Sequence, residues 1–196
     1  MATNWFILAS GNAHKSEEFN KLFDTNILGV KPATQKVEVI EDGETFTQNA
    51  LKKAQAYYQK YRIPVVSDDS GLVVEALPNE LGVKSARFGG EGLDDAGRTA
   101  LLLDKMSDES NRKAYFVCLL CFYLNPSEIY FFEGRCHGSI STKIAGDGGF
   151  GYDPVFIPEG QSESFAQNSA WKHANGHRAK AVSQAQQFFT GFFPEK

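Results

Sequence analysis

The hydrophobic pattern divides the first half of the chain into short apolar runs that alternate with longer amphipathic stretches. Residues 5–9, Trp-Phe-Ile-Leu-Ala, read as a buried strand, and residues 16–23 as a helix, because Phe19, Leu22 and Phe23 recur at i, i+3 and i+4. Thr45 and Gln48 have the spacing of a capping box. The helix they open carries Phe46, Ala50, Ala54 and Tyr57 or Tyr58 on one side as far as Tyr61, and Pro64 marks its end. Residues 65–74 predict two short strands broken at Asp68-Asp69-Ser70-Gly71, and residues 95–105 a helix with Ala100, Leu101 and Leu103 partly buried. The stretch between them, rich in Gly and Pro, reads as loop.

Strands dominate the second half. Residues 114–124 and 129–141 are long strand candidates joined by Asn125-Pro126-Ser127, which suits an antiparallel hairpin. Residues 154–157 supply a short strand, residues 161–176 look irregular, and residues 177–189 read as a C-terminal helix. Early alternation followed by clustered strands predicts an α/β fold of two lobes around an elongated mixed sheet with flanking helices, the ligand lying between the lobes. No repeat, low-complexity tract or linker divides the chain, so residues 1–196 are expected to form one domain.

Composition narrows the function without naming it. With 42% hydrophobic and 22% charged residues, the chain is an ordinary globular protein. The balance of 24 acidic against 20 basic residues gives a net charge of -4, and no Lys/Arg stripe is present, which argues against a nucleic-acid partner. No apolar run approaches a membrane span, and the N-terminal Met-Ala-Thr-Asn-Trp-Phe-Ile-Leu lacks a basic region and a cleavage site, so the expected compartment is the cytoplasm. Cys118 and Cys121 form a C-x-x-C inside an apolar strand, where a separation of three sends side chains to opposite faces. Core cysteines are expected there in preference to a zinc or redox site.

Three segments carry candidate chemistry. Ser10-Gly11-Asn12-Ala13-His14-Lys15 follows the first strand and offers a hydroxyl, open backbone, an amide and a cation at a helix start, which reads as an anion site or as a plain turn. Asp68 and Asp69 are adjacent, so their side chains diverge on an extended backbone. With Glu41 of the acidic loop Glu41-Asp42-Gly43-Glu44 they suit Mg²⁺, or they form a solvated acidic turn. Gly148-Gly149-Phe150-Gly151-Tyr152-Asp153-Pro154 sets two aromatic rings and a carboxylate among glycines that let a ligand approach the backbone, a wall for a planar base. Lys53 points at phosphates or is a surface lysine. Lys172, His177 and Arg178 supply donors to a base edge or to phosphate, or form a basic loop before a helix; His137 and His173, like His14 taken by itself, have only a surface reading.

Taken in order, Ser10 to Lys15, Glu41 with Thr45-Phe46 and Asn49-Ala50, Ser67-Asp-Asp-Ser-Gly-Leu72, Ser85-Ala-Arg87, Gly149-Phe-Gly-Tyr-Asp-Pro154 and His177-Arg178 resemble the inosine/xanthosine triphosphate pyrophosphatase family. The resemblance implies hydrolysis of non-standard purine nucleoside triphosphates (ITP, dITP, XTP) to the monophosphate and pyrophosphate, by a homodimer. It implies that Ser10, Gly11, Asn12, Ala13, His14 and Lys15 bind the triphosphate, and that Glu41 and Asp69 hold Mg²⁺. Asp69 also acts as general base, and Ser70 touches substrate. Lys53 and Asp68 complete the phosphate and metal surroundings, while Phe150, Gly151, Tyr152, Asp153, Lys172, His177 and Arg178 line the purine pocket. One departure stands out: Gly176 occupies the place where the family usually has Ser before the His-Arg pair. The alternatives are a pyrophosphatase for pyrimidine or modified-base triphosphates and a non-catalytic nucleotide sensor.

Overall fold

A computed structural model describes residues 4–90 and 92–192; Met1, Ala2 and Thr3, part of the N-terminal run read for a leader, lie outside them. Strand β1 (Trp5–Ala9) leads into helix α1 (Ala13–Leu22). The helix starts at Ala13, ahead of its first apolar residue, because the Asn12 side chain accepts from the Lys15 N–H and caps it. Strand β2 (Gly29–Pro32) has no alternation to betray it and is defined only by parallel pairing with β1, from Trp5 opposite Gly29 to Leu8 opposite Pro32. Helix α2 (Phe46–Tyr61) begins at the expected cap, with Thr45 Oγ1 accepting from Gln48 N–H, and ends at Arg62 in the left-handed conformation.

Strand β3 (Val65–Val74) is continuous, which corrects the expected break at Asp68-Asp69. The two buried carboxylates find partners on opposite sides of the strand, so polarity does not interrupt the ladder. Helix α3 (Asp95–Lys105) is turned slightly from the expected phase: Thr99 and Leu102 are buried, Leu101 and Leu103 partly so, and Ala100 is exposed. The loop before it contains a 3₁₀ turn, Gly82–Arg87. Strands β4 (Lys113–Asn125) and β5 (Glu128–Ile140) flank Pro126-Ser127, a connection too short for anything but a hairpin. A 3₁₀ turn, Asp153–Val155, precedes β6 (Phe156–Pro158), which pairs antiparallel with β5. The stretch expected to be irregular contains α4 (Ser169–Asn175), too short to show a periodic signal, and α5 (His177–Phe189) follows.

The strands form one mixed sheet in the order β2-β1-β3-β4-β5-β6, with β1 parallel to both of its neighbours. The chain divides into two compact units, each assembled from separate segments: residues up to Asp69 with Cys118–Gly134 and the chain from Arg178, and Ser70–Val117 with Arg135–His177.

In the first unit, Phe6, Leu8, Val66, Cys118, Leu120 and Phe122 pack with Phe19 of α1 and Phe189 of α5, while Ala9, Val65, Leu119, Cys121 and Tyr123 pack with Ala50, Ala54 and Tyr57 of α2. Cys118 and Cys121 therefore lie in different clusters, as their spacing predicts, and burial raises both thiol pKa values, that of Cys121 to about 12. The second unit has its own core around Leu72, Leu102, Phe116, Tyr152, Phe156 and Phe165. Burying a Phe or Leu side chain contributes about 1.5–3 kcal/mol, whereas the attraction within a buried ion pair is largely offset by the cost of desolvating both charges. The apolar faces thus set the frame, and the site charges are carried by it.

Candidate active site

The first unit gathers the Ser10–Lys15 segment, two lysines and the carboxylates. Ser10 Oγ accepts from Asn12 N–H at 3.3 Å, so side chains of the loop itself hold its turn, and Gly11, Asn12, Ala13 and His14 are exposed at the head of α1. Backbone N–H groups there suit an anion. One turn into the helix, Lys15 Nζ donates to Asp68 Oδ2 at 2.7 Å.

Alternation along β3 aims the paired acids apart. Val66 and Asp68 belong to the side of α1 and α5; Val65, Ser67 and Asp69 belong to the side of α2, where Ser67 Oγ donates to Ala50 O at 2.6 Å and Asn49 Nδ2 donates to Asp69 Oδ2 at 3.0 Å. Both carboxylates are buried, which removes the solvated-turn alternative. Lys53 is likewise no surface lysine: its ammonium lies 3.0 Å from Glu41 Oε2 and donates to the Asp68 carbonyl at 2.9 Å. Glu41, Lys53 and the Asp68-Asp69 pair are thus brought together by α2, β3 and the loop before α2.

The two aspartates titrate in opposite directions. Burial pushes the Asp69 carboxyl up to about 6, and the nearby Lys15 and Lys53 charges and the Asn49 hydrogen bond only partly counter it. Burial would raise Asp68 too, but Lys15, Lys53 and Arg178 outweigh it and hold that carboxyl well below the usual range. For Lys53, burial disfavours the charge, while Asp68, Glu41 and Asp69 together prevail and raise its pKa. The surroundings thus favour the charged form of Asp68 and the protonated form of Asp69.

The second unit holds the aromatic segment. Asp153 accepts from the Phe150 N–H at 2.9 Å and from Lys172 Nζ at 2.7 Å, and Lys172 lies 4.7 Å from the Phe150 ring centroid. The glycines have a different job from the expected one at Gly149: its φ is +75°, and a Cβ there would meet Asp153 Oδ2 at 2.0 Å, so the close approach is made by the protein's own carboxylate. Gly151 is held by α3, its N–H donating to Asp95 Oδ2 at 2.8 Å and its carbonyl accepting from Thr99 Oγ1 at 3.3 Å. Tyr152 is buried, with its hydroxyl donating to Ser85 O at 2.8 Å. His177 stacks on Phe116, with centroids 4.8 Å apart.

Arg178 has its partners in the first unit. Its guanidinium donates to Glu18 Oε2 at 2.8 Å and lies over Phe19, and both Arg178 and Glu18 are buried. At Gly176, the C-cap of α4, an added Cβ would meet the Lys172 carbonyl at 2.5 Å, so the departure from Ser coincides with a tight junction. Ser70 lies on β3, partly buried, where the first unit gives way to the second.

Glu18, Asn49 and Asp95 escaped the sequence reading as individuals with roles. A signal existed for two of them: Glu18 and Asn49 are polar residues beside Phe19 and Ala50, on the buried faces of amphipathic helices. Asp95 gave none, being an ordinary acid in the first turn of α3.

A helix-head anion loop, a carboxylate and lysine centre and a basic aromatic segment are, chemically, the equipment of a nucleotide phosphohydrolase. The chain belongs to the Ham1 family, whose model matches residues 6–188. It is 41% identical over 187 residues to the dITP/XTP pyrophosphatase of Leptospira interrogans serogroup Icterohaemorrhagiae serovar copenhageni (strain Fiocruz L1-130), covering 92% of this chain and 94% of that protein. Among solved structures, it resembles the Staphylococcus aureus Ham1 protein with a TM-score of 0.85 at 33% identity, covering 96% of this chain and all of that one (100%). A HAM1 protein from Coxiella burnetii matches at TM-score 0.84 and 31% identity, over 95% of this chain and 98% of the other.

Proposed function

We propose that this chain hydrolyses non-standard purine nucleoside triphosphates, ITP, dITP and XTP, to the monophosphate and pyrophosphate, and so removes them from the nucleotide pool. The reaction class and substrate class follow the dITP/XTP pyrophosphatases to which it is similar. The observation that carries the residue-level reading is Asp69: a buried carboxylate raised to about 6, held by Asn49 and set beside Lys15 and Lys53.

In this reading the α1 head, from Ser10 to Lys15, binds the triphosphate, with Lys15 and Lys53 offsetting its charge. Asp69 accepts the proton of the water that attacks the α-phosphorus. Asp68 anchors Lys15 and stays anionic throughout. Ser70 contacts the substrate. Phe150 stacks on the purine, Lys172 supplies a donor to its 6-oxo group, and Asp153 fixes that lysine. Adenine presents a 6-amino donor in the same place and offers that ammonium no acceptor. Gly151, Tyr152 and His177 shape the wall from behind, and Arg178 acts from its pair with Glu18.

The donor set fits magnesium. Glu41 and Asp69 are hard oxygen ligands meeting at Lys53 and Asn49, and Mg²⁺ takes few protein carboxylates and completes its shell with water and substrate phosphates. When bound it supplies charge neutralisation at the phosphates. The homodimer and the cytoplasmic compartment belong to the same reading; among the described residues no helix is long and apolar enough to cross a membrane.

Pyrophosphate release from ITP, XTP, dITP, GTP and ATP, with and without Mg²⁺, tests the assignment. Metal-dependent release from ITP, dITP and XTP far above ATP is the expected result. A preference for pyrimidine or modified-base triphosphates added to the panel would replace the substrate class, and binding without turnover would make the chain a sensor.

A further inference from the structure

Helix α2 sends two side chains, one turn apart on the same face, into the carboxylate centre. Lys53 reaches Glu41 and the Asp68 carbonyl. Asn49 uses both ends of its amide: Nδ2 donates to Asp69 Oδ2 at 3.0 Å, and Oδ1 accepts from the Gly43 N–H at 2.8 Å. Both bonds are buried, and Asn49 is 1% exposed. Gly43 belongs to the loop that carries Glu41, so one amide touches both segments that bring carboxylates to the centre.

The chemistry selects Asn at this place. Aspartate would still accept from Gly43 but would set a second carboxylate against Asp69, while an aliphatic residue would leave both the Gly43 N–H and the Asp69 oxygen without that partner. Turning the amide over would put its oxygen on the carboxylate and its NH₂ on the N–H, so the two bonds fix its orientation. We infer that Asn49 is a positioning residue for the reaction, locking the Asp69 carboxylate and the Glu41 loop in one relative placement. The inference rests on the phosphohydrolase reading of this site.

The test uses the full chain with Asn49→Asp and Asn49→Ala. Asn49→Asp keeps the tie to Gly43 and loses the donor to Asp69. It is expected to fold, to keep the ITP KM within about threefold, and to lose about 100-fold in kcat, the usual scale for a reacting group displaced by about 1 Å. Asn49→Ala is expected to weaken Mn²⁺ binding to the nucleotide-free protein, followed by electron paramagnetic resonance, by about tenfold, the lower end of the effect of removing a hydrogen-bond partner of a metal ligand. If Asn49→Ala does not fold, Asn49→Ser takes its place. Either a folded Asn49→Asp with wild-type kcat or an unchanged Mn²⁺ affinity overturns the inference. Failure of the wild-type protein to turn over ITP would instead remove the functional reading, and the Mn²⁺ titration would still decide the role of Asn49.

Discussion

The two units hold their charges differently. In the first, Lys15, Lys53 and Arg178 are matched against Asp68, Glu41 and Glu18, all presented by helices, β3 or the loop before α2. In the second, one buried pair, Lys172 with Asp153, is embedded among Phe150, Phe165 and a turn held by Asp95 and Thr99. In the proposed function, the first arrangement exchanges internal partners for phosphate and metal. The second fixes one cation in one place, and the same proposal gives it the discrimination between a 6-oxo and a 6-amino group. Variants of the first unit should therefore change turnover for every substrate alike, and variants of the second should change the ratio between substrates.

The largest effect belongs to Asp69→Asn. Removing the base while nearly keeping its shape should lower kcat by about 10²–10⁴-fold, equally for ITP and XTP, with nucleotide binding retained in calorimetry. A change in the ITP-to-XTP ratio would break the division of labour between the units. Next comes Asp153→Asn, which leaves the Lys172 ammonium buried without its carboxylate and should cost about 3–5 kcal/mol in urea unfolding. Lys172→Met in the same background should recover part of that loss. Retained stability in Asp153→Asn would show that the pair does not hold the wall.

Phe150→Ala should cost about tenfold in kcat/KM for ITP, from the about 1–3 kcal/mol that stacking on a base contributes, and should shrink the advantage of ITP over ATP. An unchanged ratio in a folded variant would sharpen the comparison by moving discrimination wholly onto Lys172. A further effect is on stability against pH. Asp68 has a depressed pKa in the folded chain, so the stability it contributes is present above the ordinary carboxylate value of 3.8 and is lost as pH falls below it. Asp69 has the opposite sign: its folded value of about 6 lies above 3.8, so ionising it costs stability as pH rises between the two. Urea unfolding of Asp68→Asn and Asp69→Asn from pH 3 to pH 7 should show the two substitutions diverging as pH rises.

Legibility in the sequence follows the same division. The first-unit residues sit on elements with strong periodic or capping signals: Thr45 caps α2, and the alternation of β3 aims Asp68 and Asp69 apart as expected. What the pattern missed there were polar residues on apolar helix faces. Glu18 and Asn49 gain their roles through Arg178 and Asp69, 160 and 20 residues away in sequence. In the second unit the motif Gly149 to Pro154 was visible, but its geometry was not. The turn closes around Asp153 through long-range bonds to Asp95, Thr99 and Lys172, and α4 is too short to announce itself. The sheet edge β2 was silent because its order comes from pairing with β1 alone.

The central claim is attack of water at the α-phosphorus within a site poised by Asp69. Phosphorus NMR of ITP turnover in ¹⁸O-labelled water tests it most directly. The account predicts inosine monophosphate carrying the label and unlabelled pyrophosphate as first products. Inosine diphosphate with labelled orthophosphate would contradict it.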